Sequence, residues 1–188
     1  HGGPPLLLAY QRGLCERRAG LLDQAEATVR RIESGPVHAK GEAYTGLANL
    51  KAVVAFDRGD IHRAMEFIST SYRANVSAGN FNGMVLVGIV TANMAIAGSR
   101  YELAAEMIGE MRRIEYGPVA ENYLGAIAMN EAWLAHRMGD ITSRDKLLSD
   151  ALLRARDERA RVRLRWYTNA LAEMLPIPMA DKQLLLQS

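Results

Sequence analysis

One spacing constrains this chain more than any other property: a cluster of small residues returns every forty positions. Ala48, Ala52 and Ala55 are followed by Gly88, Ala92 and Ala95, and these by Ala128, Ala132 and Ala135. Self-similarity at a period of about 20–50 residues marks a stack of supersecondary units, each burying its apolar face against its neighbours. One period earlier, less one residue, stand Ala9, Gly13 and Glu16; one period later stand Thr168, Ala172 and Leu175. These outer copies lose the small residue at the third position, as terminal repeats often do. A longer block also recurs: Arg30–Val37 and Arg112–Val119 agree at seven of eight positions.

The punctuation between clusters is that of helices. Gly20, Gly59, Gly98 and Gly139 each follow a small-residue cluster, where a helix commonly exits through a left-handed residue that glycine adopts without a Cβ penalty. Second helices are expected over Leu22–Arg31, Ile61–Asn75, Tyr101–Arg113 and Thr142–Arg156. Ser34-Gly35-Pro36, Ala78-Gly79-Asn80 and Tyr116-Gly117-Pro118 close three of them. No segment alternates apolar and polar residues long enough to read as a strand. Aromatics make up only 6% of the chain, against 28 alanines, which suits closely packed helices better than a sheet. The expected fold is therefore all-α: a right-handed α-solenoid of antiparallel helix pairs. Its units run approximately 5–36, 37–80, 81–118, 119–158 and 159–188, the last a cap or an incomplete unit. The fifth first helix is expected over Val162–Leu175, with Asp181–Leu186 opening another second helix.

These units resemble the tetratricopeptide (TPR) repeat. The stretches Arg58-Gly59-Asp60-Ile61-His62-Arg63-Ala64 and Ala97-Gly98-Ser99-Arg100-Tyr101-Glu102-Leu103-Ala104 carry the likeness best. Gly13, Ala52, Ala92 and Ala132 match the small eighth position of a TPR-like first helix. Ala25, Ala64 and, after an insertion at Ser99, Ala104 match the early alanine of the second. The units are longer than the usual 34 residues, Lys51 and Glu131 stand where a bulky apolar residue is usual, and Arg144 replaces the early alanine of the fourth unit. Units of this length look like the MalT-like helical region of large bacterial transcription regulators and signalling proteins. The resemblance implies a non-catalytic module that docks proteins or peptides, or senses an effector, with the first helices lining a concave groove. Carried over onto this sequence, the groove positions give Tyr10, Arg17, Asn49, Phe56, Asn93, Met129, Trp133 and His136 as candidate binding residues. Leu7, Leu14, Gly46, Val53, Leu86, Ile89, Ile96 and Ala126 complete that stripe. Aromatic anchors, two Asn and few charges suit an apolar helix, an extended peptide or a small apolar ligand. The Lys/Arg clamp that some TPR proteins use for a terminal carboxylate is missing.

Other chemistry finds little support. There is no GxGxxG, no Gly-Lys-Ser/Thr phosphate loop, no HExxH and no GxSxG, so no enzyme activity and no cofactor are expected. The histidines His1, His38, His62 and His136 share no helical face with each other or with Cys15, so no metal site is expected. Cys15 reads as a small buried apolar residue, and one thiol fits a cytoplasmic setting. Glu102, Glu106 and Glu110 read as a solvated face closed by Arg113. Asn75-Val76-Ser77 matches the glycosylation pattern by chance. A net charge of +2 argues against nucleic acid as the partner. The Arg-rich stretch Arg154–Arg165 reads as a solvated junction, because its side chains scatter around a helix instead of aligning. No apolar run is long enough to span a membrane. Arg outnumbers Lys 19 to 4, a bacterial habit, and the opening His1 fits a fragment of a longer polypeptide. Self-association through the C-terminal edge is a further expectation.

Overall fold

The structure, a computed structural model, describes residues 3–35, 42–114, 121–154 and 168–174. Nine helices are described: α1 (Gly3–Arg18), α2 (Leu22–Glu33), α3 (Glu42–Asp57), α4 (Ile61–Ser77), α5 (Phe81–Ala97), α6 (Tyr101–Arg113), α7 (Glu121–Arg137), α8 (Ile141–Arg154) and α9 (Thr168–Met174). No strand occurs among the described residues. Four second helices begin within one residue of their expected starts. The helix expected over Val162–Leu175 is described over Thr168–Met174. Asp181–Leu186, His1, His38 and most of the Arg-rich stretch lie outside the described residues.

The helices fall into two compact bodies, His1–Gly98 and Ser99–Ser188. In the first, α1 packs on α2, α3 on α4, α4 on α5, and α3 also on α1 and α2. In the second, α7 packs on α6, α8 and α9. Within each body the short turns reverse the chain, so α1 and α2, α3 and α4, and α7 and α8 run antiparallel.

Four of these turns share one hydrogen-bond pattern. Gly20, Gly59, Gly79 and Gly139 take φ of +74°, +82°, +62° and +79°. Each donates its N–H to the carbonyl three residues back, and the next residue donates to the carbonyl five back: Leu21 to Glu16, Asp60 to Ala55, Asn80 to Asn75, Asp140 to Ala135. This double closure satisfies carbonyls that the helix end would leave bare. After three of them the following helix is capped at once, while Leu21 before α2 provides no side-chain cap. Asp60, Asn80 and Asp140 accept from the N–H of Arg63, Gly83 and Ser143. One turn differs from expectation. Gly98 has φ −83°, and Ser99 takes the left-handed conformation at φ 57°. The inserted residue moves the exit by one position. Gly98 is needed for space instead, since a Cβ there would lie 3.0 Å from Ile61 Cγ2 and 3.3 Å from the Met94 carbonyl oxygen.

The small-residue positions are where the helices meet. Ala52, Ala92 and Ala132 are completely buried, as are Ala25, Ala64 and Ala104 of the second helices. At Gly13 a Cβ would stand 2.6 Å from Leu50 on α3 and 3.3 Å from Thr28 on α2, so α1 sits too close to both for a larger residue. Larger apolar side chains fill the remaining space, Leu50, Ile68 and Ile127 among them with no exposed surface. Each contributes about 1.5–3 kcal/mol of burial free energy.

Among the buried polar residues, Glu16 and Asn75 show how such groups are satisfied. Glu16 stands where later units carry alanine, and it is buried. Its carboxylate accepts from Arg12 at 2.6 Å and Thr28 at 2.7 Å. Burial pushes its pKa up, but these hydrogen bonds and the charges of Arg12 and Arg31 outweigh that and hold it below the usual carboxylate value. Asn75, 1% exposed, donates to the Ser71 carbonyl and accepts from Asn80, so its amide nitrogen is not available for glycosylation in the folded chain. Cys15 corrects the sequence reading: it is exposed, not buried. Leu8, Gln11, Cys15 and Arg18 form the exposed face of α1, while Gly13 and Glu16 face inward.

Candidate functional site

The first helices α1, α3, α5 and α7 carry the candidate stripe, and burial divides it. In the first body, Tyr10, Leu14, Arg17, Gly46, Asn49, Phe56, Leu86 and Asn93 are partly exposed, and Leu7 is 58% exposed. Val53, Ile89 and Ile96 are buried. In the second body, Ala126, Met129 and Trp133 are buried, Met129 completely, and His136 is partly exposed. The surface on offer in the first body is therefore a run of aromatic, aliphatic and amide side chains.

Local packing explains how that run is held. Gly46 on α3 faces the ring of Tyr10 on α1, where a Cβ would lie 3.5 Å from the ring. The Asn49 amide nitrogen donates to the Tyr10 hydroxyl at 3.1 Å. Arg17 grips Asp57 with two hydrogen bonds, 2.6 and 3.1 Å. These contacts span 39 and 40 residues: Tyr10 and Asn49 hold the same position of successive first helices, and Asp57 lies one residue beyond the position that matches Arg17. Asn49 Oδ1 and His136 Nδ1 are buried without a hydrogen-bond partner among the described residues.

Most cations of the first helices are spent internally. Arg12 pairs with Glu16, Arg17 with Asp57, and Lys51 with Glu33 at 2.6 Å. In the second body, Glu131 pairs with Arg112, and Arg137 with Glu173 at 2.6 Å. The whole of α5 carries no charged side chain. The sequence reading identified Arg17, Trp133 and His136 but not their carboxylates, Asp57 and Glu173. Opposite charges forty residues apart, as in Arg17 and Asp57, are the signal for such a pair. Trp133 and Glu173 show the same spacing with a neutral donor, which charge patterning does not reveal.

Elsewhere the chemistry is sparse. Among the described residues no group of three or more His, Cys, Asp and Glu is arranged to hold a metal ion. His62 is highly exposed and lies 3.8 Å from Glu66. Glu102 and Glu106 are exposed. No helix among the described residues is long and apolar enough to cross a membrane.

Solved structures share this architecture. The chain is similar to nearly identical TPR-like repeats from a Podosopora anserina protein provisionally described as a kinesin light chain. The TM-score is 0.61 at 10% identity, covering 97% of this chain and 92% of that one. A single-substitution variant of those repeats matches with a TM-score of 0.60 at 12% identity, covering 100% and 94%. The fold is thus an all-α helical repeat of the TPR-like, α-solenoid class. No protein-family model matches the sequence, and no curated protein matches it.

Proposed function

We propose that this chain is a non-catalytic interaction domain that binds a protein or peptide segment along the first helices of its first body. TPR-like folds generally serve as protein-binding scaffolds, but a fold alone does not fix a function, so the reading rests on the surface. The observation that carries it is the partly exposed stripe of Tyr10, Leu14, Asn49, Phe56 and Asn93 in the first body, next to cations already neutralised by their own carboxylates. Such a surface favours an uncharged, apolar segment. Aromatic rings supply buried area, and the Asn93 amide can pair with peptide backbone groups. A long acidic partner would gain little from Arg17 or Lys51, whose charges are already compensated.

The repeat organisation into five units, the last a cap or incomplete, belongs to the same reading. So does a MalT-like place inside a larger bacterial transcription regulator or signalling protein in the cytoplasm, which the 39–40-residue period and the Arg-over-Lys composition support. Effector sensing in the same stripe is the companion reading.

The test is selection of binding peptides from a random library on the full chain, followed by titration of the enriched sequence. Phe56→Ala should weaken binding ten-fold or more, about 1.4 kcal/mol, with an unchanged melting temperature. Equal binding by Phe56→Ala and Asn49→Ala variants would remove the stripe from consideration. Stabilisation by a metabolite pool but by no peptide would favour the sensor.

A further inference from the structure

Three side chains of different kinds on neighbouring turns of α7 surround a single carboxylate. The Trp133 indole N–H donates to Glu173 Oε2 at 3.2 Å. Arg137 Nε lies 2.6 Å from Glu173 Oε1, and His136 Nε2 lies 3.5 Å from that same oxygen. Arg137 also lies over the indole ring, 5.8 Å from its centroid, so the ring and the guanidinium hold each other in place. A single surface ion pair needs one cation and is worth little. Here an indole, an imidazole and a guanidinium are aimed at one pair of oxygens, which is the chemistry of carboxylate recognition.

We propose that Trp133, His136 and Arg137 form a recognition site for an acidic side chain of a bound peptide, with Glu173 as its resident competitor. This rests on the reading of the chain as a peptide-binding domain. The geometry permits exchange. The side chains of His136, Arg137 and Glu173 are 23%, 32% and 33% exposed, so the site is reached from solvent. The seat of α9 is separate from Glu173: Ala170 and Met174, both at most 2% exposed, hold that helix. An incoming carboxylate therefore requires the Glu173 side chain to rotate outward, not α9 to detach. The Arg17–Asp57 pair offers no equivalent, because one guanidinium supplies both of its hydrogen bonds.

The experiment is calorimetric titration of the full chain with two blocked five-residue peptides, one with a central Glu between leucines and the other with Gln in its place. Glu173→Gln should bind the Glu peptide at least ten-fold tighter than the wild type does, and leave the affinity for the Gln peptide unchanged. Adding Arg137→Ala should abolish that gain. Equal affinity of wild type and Glu173→Gln for the Glu peptide overturns the proposal. An equal gain for both peptides also overturns it, since that would reflect newly exposed apolar surface. A second measurement does not depend on a variant that must fold: in the wild type, the Trp133 indole N–H resonance should shift with millimolar Glu peptide and not with Gln peptide. No selective shift would equally overturn the proposal. The Glu-to-Gln ratio reports on this site alone, while the Phe56→Ala result reports on the stripe, so the two readings fail separately.

Discussion

Helices α3 and α7 lie eighty residues apart in sequence, and their small residues coincide: Ala48, Ala52 and Ala55 against Ala128, Ala132 and Ala135. Their charges do not. Lys51 on α3 pairs with Glu33 of the preceding second helix, and Glu131 at the matching place on α7 pairs with Arg112 of its own preceding second helix. The same contact is made with reversed polarity. On α5 the matching residue, Thr91, is buried and bonds its own helix through the Val87 carbonyl at 2.7 Å. The backbone crossing is what the repeats share. The side-chain pair above it is free to change provided both partners change together, because an ion pair of this exposure contributes little beyond avoiding a mismatch.

The comparison can be broken most severely at the crossing. Ala52→Leu and Ala132→Leu should each destabilise their own body by about 1–3 kcal/mol, since both sites are completely buried and an added side chain must force neighbours off their rotamers. Denaturant unfolding of the two variants checks this, and an unchanged midpoint in either would end the equivalence of the two helices. The next effect separates α1 from the other first helices. Only α1 carries a buried acid at the third small position, Glu16, where Ala55, Ala95 and Ala135 stand later. Its folded pKa is depressed, so its contribution is present above the ordinary value of 4.5 and is lost as pH falls through the folded value. The melting temperature should therefore drop below about pH 4.5, and Glu16→Gln should flatten that drop. A profile identical in both proteins would show that Arg12 and Thr28 do not hold the charge.

The charge reversal predicts a smaller effect. Lys51→Glu should cost about 0.5–1 kcal/mol by setting two acids side by side, and the double change Lys51→Glu with Glu33→Arg should restore most of it. The double change copies the polarity that residues 131 and 112 already use. Failure of the rescue would mean that Lys51 acts through its contact with the Phe67 ring, 4.3 Å away, and not through Glu33. The smallest effect concerns the one irregular turn. Ser99→Gly should stabilise by a few tenths to about 1 kcal/mol, because a left-handed residue then loses its Cβ penalty. The same change would not help at Gly59 or Gly139, which already have glycine there. Thermal melting of Ser99→Gly against the wild type is the check.

Much of this fold is legible in the sequence because it depends on short-range chemistry. The glycine turns, the Asp60, Asn80 and Asp140 caps and the alanine crossings are each set by a handful of neighbouring residues, and the period repeats them. The candidate site is less legible. The groove positions implied by the TPR resemblance placed Tyr10, Asn49, Phe56 and Asn93 on one stripe, but they placed Met129 and Trp133 there too, and both are buried. A stripe position says which way a side chain leaves its helix, not how closely the next helix approaches.

The sequence by itself determined the period, the helix pairs, the turn residues and the small positions where backbones meet, since these follow from local conformational preference and Cβ sterics. Only the tertiary structure decided that Cys15 faces out, that Gly98 is required for space while Ser99 bends the chain, and that Glu173 seats on Trp133, His136 and Arg137. Those outcomes depend on partners up to a full period away, reached by long side chains whose rotamers no local pattern records.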